Sequence, residues 1–115
     1  MKYILAVDQS TSSTKVTLFN ERMEAVRSKR RAHRQIYPRP SWVEHDAEEI
    51  WRNTASLLAE AAEGIAPGDV AGIGLANQRE TTVVWERDTG RPVCNAVVWQ
   101  DTRAKYITDP IQPYS

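Results

Sequence analysis

The sequence predicts an α/β domain built on a mixed sheet, and three observations carry that prediction. Three strand-like segments, Tyr3 to Val7, Val16 to Phe19 and Ala25 to Arg34, follow one another with short polar turns between them, the pattern of an antiparallel meander. The segment opening at Asp46 keeps apolar residues at helical spacing on one face. The uncharged run Val70 to Ala76 then reads as a buried strand of the kind that follows a helical crossover.

Taken in order, Tyr3 to Val7 is an apolar run that gives way to "DQSTSSTK", and Asn20-Glu21-Arg22 supplies the turn into the third strand. Prolines at 38 and 40 in "IYPRPSWVEHD" preclude extended regular structure there. Asp46 has the character of a helix N-cap, Glu49 completes a capping-box pattern, and Glu48 adds negative charge to the first turn. Ile50, Thr54, Leu57, Leu58 and Ala61 form the inward face; Gly64 suits the C′ position and Pro67 prevents the helix from resuming. Beyond Val70 to Ala76, Thr82 to Trp85 and Val93 to Trp99 flank "ERDTGRP" as a hairpin. A helix beginning near Thr102 is stopped by Pro110 and Pro113.

Composition narrows the function classes. The 115 residues fit one domain. Lys plus Arg and Asp plus Glu balance at 15 each, so no global field draws the chain to nucleic acid or an anionic membrane. The cluster Arg27, Lys29, Arg30, Arg31 and Arg34 reads as the wet face of a strand rather than a nucleic-acid patch. The single cysteine, Cys94, excludes an internal disulfide, fits a reducing compartment and reads as a small packed side chain. The N-terminal apolar run is too short for a signal peptide or a membrane span, so the expected location is cytoplasmic. Trp42, Trp51 and Trp85 read as core or loop anchors.

Three segments carry candidate chemistry. In "DQSTSSTK" the hydroxyls and backbone N–H groups can cradle phosphate, with Lys15 as counter-charge and Asp8 near a metal. The same residues are also ordinary turn formers. In "NQRETT", Arg79 and Glu80 end the central strand, where α/β proteins bind ligands, and offer a donor and an acceptor to a polyhydroxylated molecule; the plain alternative is a surface ion pair. In "VVWQDTR", Trp99 offers an apolar face to a carbon skeleton, or to the core.

The segments "ILAVDQSTSSTKVTLF", "IYPRPSWVEHDAEEIW" and "GIGLANQRETTVVWERDTGRPVCNAVVWQDTR" resemble, in order and spacing, the N-terminal part of the FGGY carbohydrate kinases, and within them the glycerol kinases. That resemblance runs from Tyr3 to Arg103. It implies an actin-like ATPase, ribonuclease-H-like fold and ATP-dependent phosphorylation of a polyol. It places Asp8 near Mg²⁺, and Thr11, Ser12, Ser13 and Lys15 on the nucleotide phosphates. It places Arg79, Glu80 and Trp99 around glycerol or a similar small polyol. Ser10 stands where the family usually has glycine, and Lys15 where glycerol kinases usually have arginine. Family members are several-fold longer, so the resemblance puts the catalytic base, a second domain and the adenine site beyond Ser115, with oligomerisation a property of the full-length family.

The resulting expectation is a partial kinase domain over 1–103 with a divergent tail over 104–115. It would be the N-terminal part of an ATP-dependent glycerol kinase, inactive or nearly so alone, with no nucleic-acid or membrane partner. Two alternatives stay open: a kinase fragment for xylulose or another sugar, and a non-catalytic product that binds polyol or a partner.

Overall fold

The computed structural model describes residues 1–111. Strands β1 (Tyr3–Gln9), β2 (Ser13–Phe19), β3 (Ala25–Ala32), β4 (Glu44–His45), β5 (Val70–Asn77) and β6 (Ala96–Val97) accompany helices α1 (Ala47–Ala61) and α2 (Lys105–Thr108). The chain divides into two compact units, one comprising Met1–Arg34 with Glu48–Gln78, the other Gln35–Ala47 with the segment from Arg79 onward.

The first unit is a four-stranded mixed sheet in the order β3-β2-β1-β5. β1, β2 and β3 form the expected antiparallel meander, and β5 adds in parallel beside β1. Period-2 alternation sends Leu5, Val7, Val16 and Leu18 to one face, where Leu57 and Ala61 of α1 complete a core. The turn after β2 is held by Asn20, whose Oδ1 accepts the Arg22 N–H at 2.9 Å and the Glu24 N–H at 3.1 Å.

α1 begins directly after Asp46 and ends before Gly64, whose φ of 79° suits the left-handed C′ position. Its C-terminal carbonyls are capped from the sheet: Arg27 Nη1 donates to the carbonyls of Ala61 at 2.8 Å and Glu63 at 2.9 Å. Arg31 pairs with Glu60 at 3.2 Å and Arg34 with Glu49 at 3.4 Å. Three of the five clustered cations therefore fasten β3 and its exit to α1.

Several expectations need correction. β5 is exposed rather than buried, with Ile73 59% and Leu75 72% accessible, because the core under α1 is built on β1 and β2. Cys94 is an exposed free thiol at a bend before β6, not a packed side chain. Trp51 and Trp85 are likewise exposed and sit outside the core.

In the second unit β4 and β6 pair antiparallel. Short as it is, β4 shows that the proline-rich stretch makes a small hairpin of its own, bridged at Ile36 and Glu44. The expected hairpin around Gly90 survives as isolated bridges, Trp85 with Pro92 and Thr82 with Val97, not as two full strands. Pro110 follows the one-turn α2, whereas Pro113 lies outside the described residues.

Candidate functional site

In the first unit, the polar segment after Val7 proves to be less turn and more strand than its composition suggests. β1 continues through Gln9 and β2 resumes at Ser13, leaving Ser10, Thr11 and Ser12 as the tip. Ser10 closes it: its N–H and its Oγ each donate to the Ser13 carbonyl at 2.8 Å. Serine thus supplies a second clasp at a position with no positive φ. Ser12 is exposed, Thr11 and Ser13 are half-buried, and the Ser12 and Ser13 hydroxyls make no hydrogen bond among the described residues.

Asp8 and Lys15 are direct cross-strand partners below this tip. Alternation places both on the face opposite the core, where they line a cleft of ≈ 410 Å³ together with Ala6, Thr17, Gly74 and Ala76. A carboxylate, a cation and a rim of hydroxyls suit a phosphate group with a hard cation. Beneath the tip, Thr14 and His33 are buried at 0% and 6% exposure. The His33 N–H donates to the Ser12 carbonyl at 3.4 Å. Burial pushes the imidazole below its ordinary value, against the opposing effects of a hydrogen bond with the Thr11 backbone and the nearby Glu49 carboxylate. At the carboxyl end of the parallel pair, Gln9 stands level with Asn77, and Gln78 Nε2 donates to Gln9 Oε1 at 3.2 Å.

In the second unit, Arg79 and Glu80 open the chain's path away from β5. Both are exposed, and neither has an ion-pair partner among the described residues, so they do not form the surface pair that adjacent opposite charges suggest. Glu80 has φ 67°, a left-handed conformation rarely adopted by a non-glycine residue. The next residue, Thr81, accepts the Trp99 N–H on its Oγ1 at 3.3 Å. Thr82 and Val97 then exchange both backbone hydrogen bonds, at 2.9 and 3.0 Å. Arg79 and Glu80 thus stand in the turn that leads into this bridge, and Trp99, 51% exposed, follows two residues after Val97 and is tied to Thr81.

A charged network that no sequence pattern marks lies close in the same unit. Arg103 Nη2 reaches Asp101 at 2.7 Å and Glu44 at 2.8 Å, and its guanidinium lies 3.8 Å from the centre of the Trp42 ring. The Arg103 hydrogen bond is the largest influence holding the Asp101 carboxyl down to about 2, and it also lowers Glu44. Asp101 and Arg103 lie inside "VVWQDTR", but Glu44 and Trp42 come from far upstream, and no spacing rule links the two segments.

The model of the FGGY family of carbohydrate kinases, N-terminal domain, matches residues 3–114. The chain belongs to the FGGY family of carbohydrate kinases. It is 48% identical over 114 residues to Glycerol kinase 2 of Thermotoga maritima, covering 97% of this chain and 23% of that protein. It is 52% identical over 104 residues to the glycerol kinase of Nocardia farcinica, covering 89% and 21%. Among solved structures, Plasmodium falciparum glycerol kinase with ADP superposes with a TM-score of 0.87 at 38% identity, over 100% of this chain and 24% of that one. A xylulose kinase from Lactobacillus acidophilus, at 24% identity and a TM-score of 0.89 over 99% of this chain and 23% of that one, shares the fold. The fold is thus the actin-like ATPase fold of FGGY sugar kinases. The chain spans less than a quarter of the length of each of these relatives. No helix among the described residues is long and apolar enough to cross a membrane.

Proposed function

We propose that this chain is the N-terminal segment of an ATP-dependent glycerol kinase, supplying the phosphate-gripping hairpin and part of the polyol site. The observation that carries the reading is a donor and an acceptor, Arg79 and Glu80, that are exposed and without an ion-pair partner among the described residues, in a glycerol-kinase-like chain whose next residue, Thr81, is bonded to the exposed Trp99. The overall reaction moves the γ-phosphoryl of ATP to a primary hydroxyl, chemistry that rests on positioning and charge neutralisation. Ser12, Ser13 and Thr11 donate to phosphate oxygens at the hairpin tip, and Lys15 offsets their charge. Asp8 is the one residue assigned to Mg²⁺, which takes one or two carboxylates and completes its shell with phosphate and water; when bound, it neutralises phosphate charge. Its exposed carboxylate on the cleft face suits that role.

In the polyol site, the Arg79 guanidinium donates to one hydroxyl oxygen and the Glu80 carboxylate accepts from a hydroxyl. Trp99 lies against the carbon skeleton, excluding water. The carboxylate that takes the hydroxyl proton is not assigned to any residue of this chain.

The test is a chimera in which this chain replaces the matched segment of the Thermotoga maritima relative, assayed with glycerol and with xylulose. Glycerol is the expected substrate. Arg79→Ala and Glu80→Ala should each raise KM for glycerol about tenfold, equivalent to ~1.4 kcal/mol, with KM for ATP unchanged. Unchanged glycerol kinetics in both variants, or a preference for xylulose, refutes the assignment.

A further inference from the structure

We propose that Asp101, Arg103 and Glu44 are positioning residues that fix the place of Trp99 and, through it, the affinity of the site for its polyol; the second half rests on the function proposed above. Trp99 occupies a tight turn closed by the Asp101 N–H donating to the Val98 carbonyl at 2.8 Å. Both ends of that turn are anchored to the strand region around Val43. At one end, Val98 is 1% exposed and its N–H donates to the Val43 carbonyl at 3.0 Å. At the other, Asp101 Oδ2 accepts the Val43 N–H at 2.7 Å.

The Asp101 side chain is 1% exposed and accepts on both oxygens. Oδ1 takes the Arg103 backbone N–H at 2.8 Å and Nε at 2.9 Å, while Oδ2 takes Nη2 at 2.7 Å. Arg103 carries the tie on to Glu44 Oε2 at 2.8 Å, and Glu44 Oε1 accepts Asn95 Nδ2 at 3.1 Å. The Thr102 N–H adds a further tie to the Ser41 carbonyl at 3.0 Å. Between these anchors Trp99 is 51% exposed. Bidentate, partly buried charge pairing of this kind fixes geometry, and a ring that packs on a small substrate needs placement within about 0.5 Å. Lysine at 103 keeps the charge but cannot hold the fork.

Two readouts separate positioning from a purely structural staple. In the 115-residue chain, the indole N–H resonance of Trp99, identified by its loss in Trp99→Phe, should shift and broaden in Asp101→Asn and in the milder Arg103→Lys. The Trp51 indole should stay in place, and Arg31→Met, which removes the ion pair with Glu60, should move neither. In the chimera, Arg103→Lys should raise KM for glycerol about tenfold while kcat and KM for ATP stay within about twofold. A Trp99 resonance that is unmoved in folded variants overturns the inference. So does an unchanged glycerol KM in Arg103→Lys when Trp99→Ala raises it. If Trp99 moves and Trp99→Ala itself leaves KM unchanged, it is the polyol role of Trp99 that fails, while the structural tie stands.

Discussion

Glu80 gives the sharpest separation of chemistry from scaffold. Its φ of 67° places an L-residue with a Cβ in the left-handed region, which costs about 1–2 kcal/mol. Glu80→Ala keeps the Cβ and therefore the strain; it removes an exposed carboxylate with no ion-pair partner among the described residues, so stability should barely move. Glu80→Gly removes the strain, but glycine adds roughly 0.5–1 kcal/mol of unfolded-state entropy relative to alanine. The difference leaves the glycine variant about 0.5–1 kcal/mol more stable than the alanine variant, the reverse of the usual order within a regular element. Urea unfolding of the three chains, followed by circular dichroism, reads this directly. Function should not follow stability: both variants lack the acceptor, so both should weaken glycerol use in the chimera to the same degree. An alanine variant at least as stable as the glycine one would refute the strain argument. Restored glycerol use in the glycine variant would refute the carboxylate's role.

Thr14→Val should raise the unfolding free energy by about 1 kcal/mol, because the buried Thr14 Oγ1 has no hydrogen-bond partner among the described residues and valine fills the same space; a lower urea midpoint at unchanged slope counts against it. Asp101, whose carboxyl is held from 3.8 down to about 2, contributes stability that is present above pH ~4 and lost as pH falls toward 2. Allowing for solvent screening at Arg103, 25% exposed, the loss should be about 1–2 kcal/mol in acid unfolding, and Asp101→Asn should flatten that limb. His33 has a folded value below the ordinary 6.5, so the unfolded chain takes up a proton that the folded one refuses, and stability should fall as pH drops below 6.5. His33→Gln should remove that slope, and an equal slope in both proteins would show that another group is responsible.

The meander and α1 were legible because each obeys a local rule. β1 and β2 read as apolar runs, and α1 is bracketed by Asp46 before it and Gly64 after it. The burial of β5 was misjudged for a physical reason: an uncharged strand has the same sequence signature whether or not a helix covers it, and here α1 packs chiefly on β1 and β2, with only Val70 of β5 against that core. The proposed ligand residues rest on residue type and on their place in the chain, as hydroxyls, charges and an aromatic. The Asp101–Arg103–Glu44 network was not, since Glu44 and Arg103 are 59 residues apart and only the fold brings them within 2.8 Å.

The same alternation that builds the core decides where the hairpin's charges go. Val7 faces Val16 across the β1–β2 pair, at 4% and 0% exposure, and the next rung joins Asp8 to Lys15. Because successive side chains point to opposite faces, burying the valines forces the carboxylate and the amine onto the open cleft face. A one-residue slip would drive Asp8 against Leu57 and Ala61 and turn the valines outward, losing the core and the proposed phosphate site together. Thus Val16→Lys and Val7→Asp are not merely core lesions. They remove the energetic reason for the register that presents Asp8 and Lys15, so, if the hairpin grips nucleotide as proposed, nucleotide binding by the chimera should fail in them as soon as pairing does, although neither valine side chain lies on the cleft face of the charges.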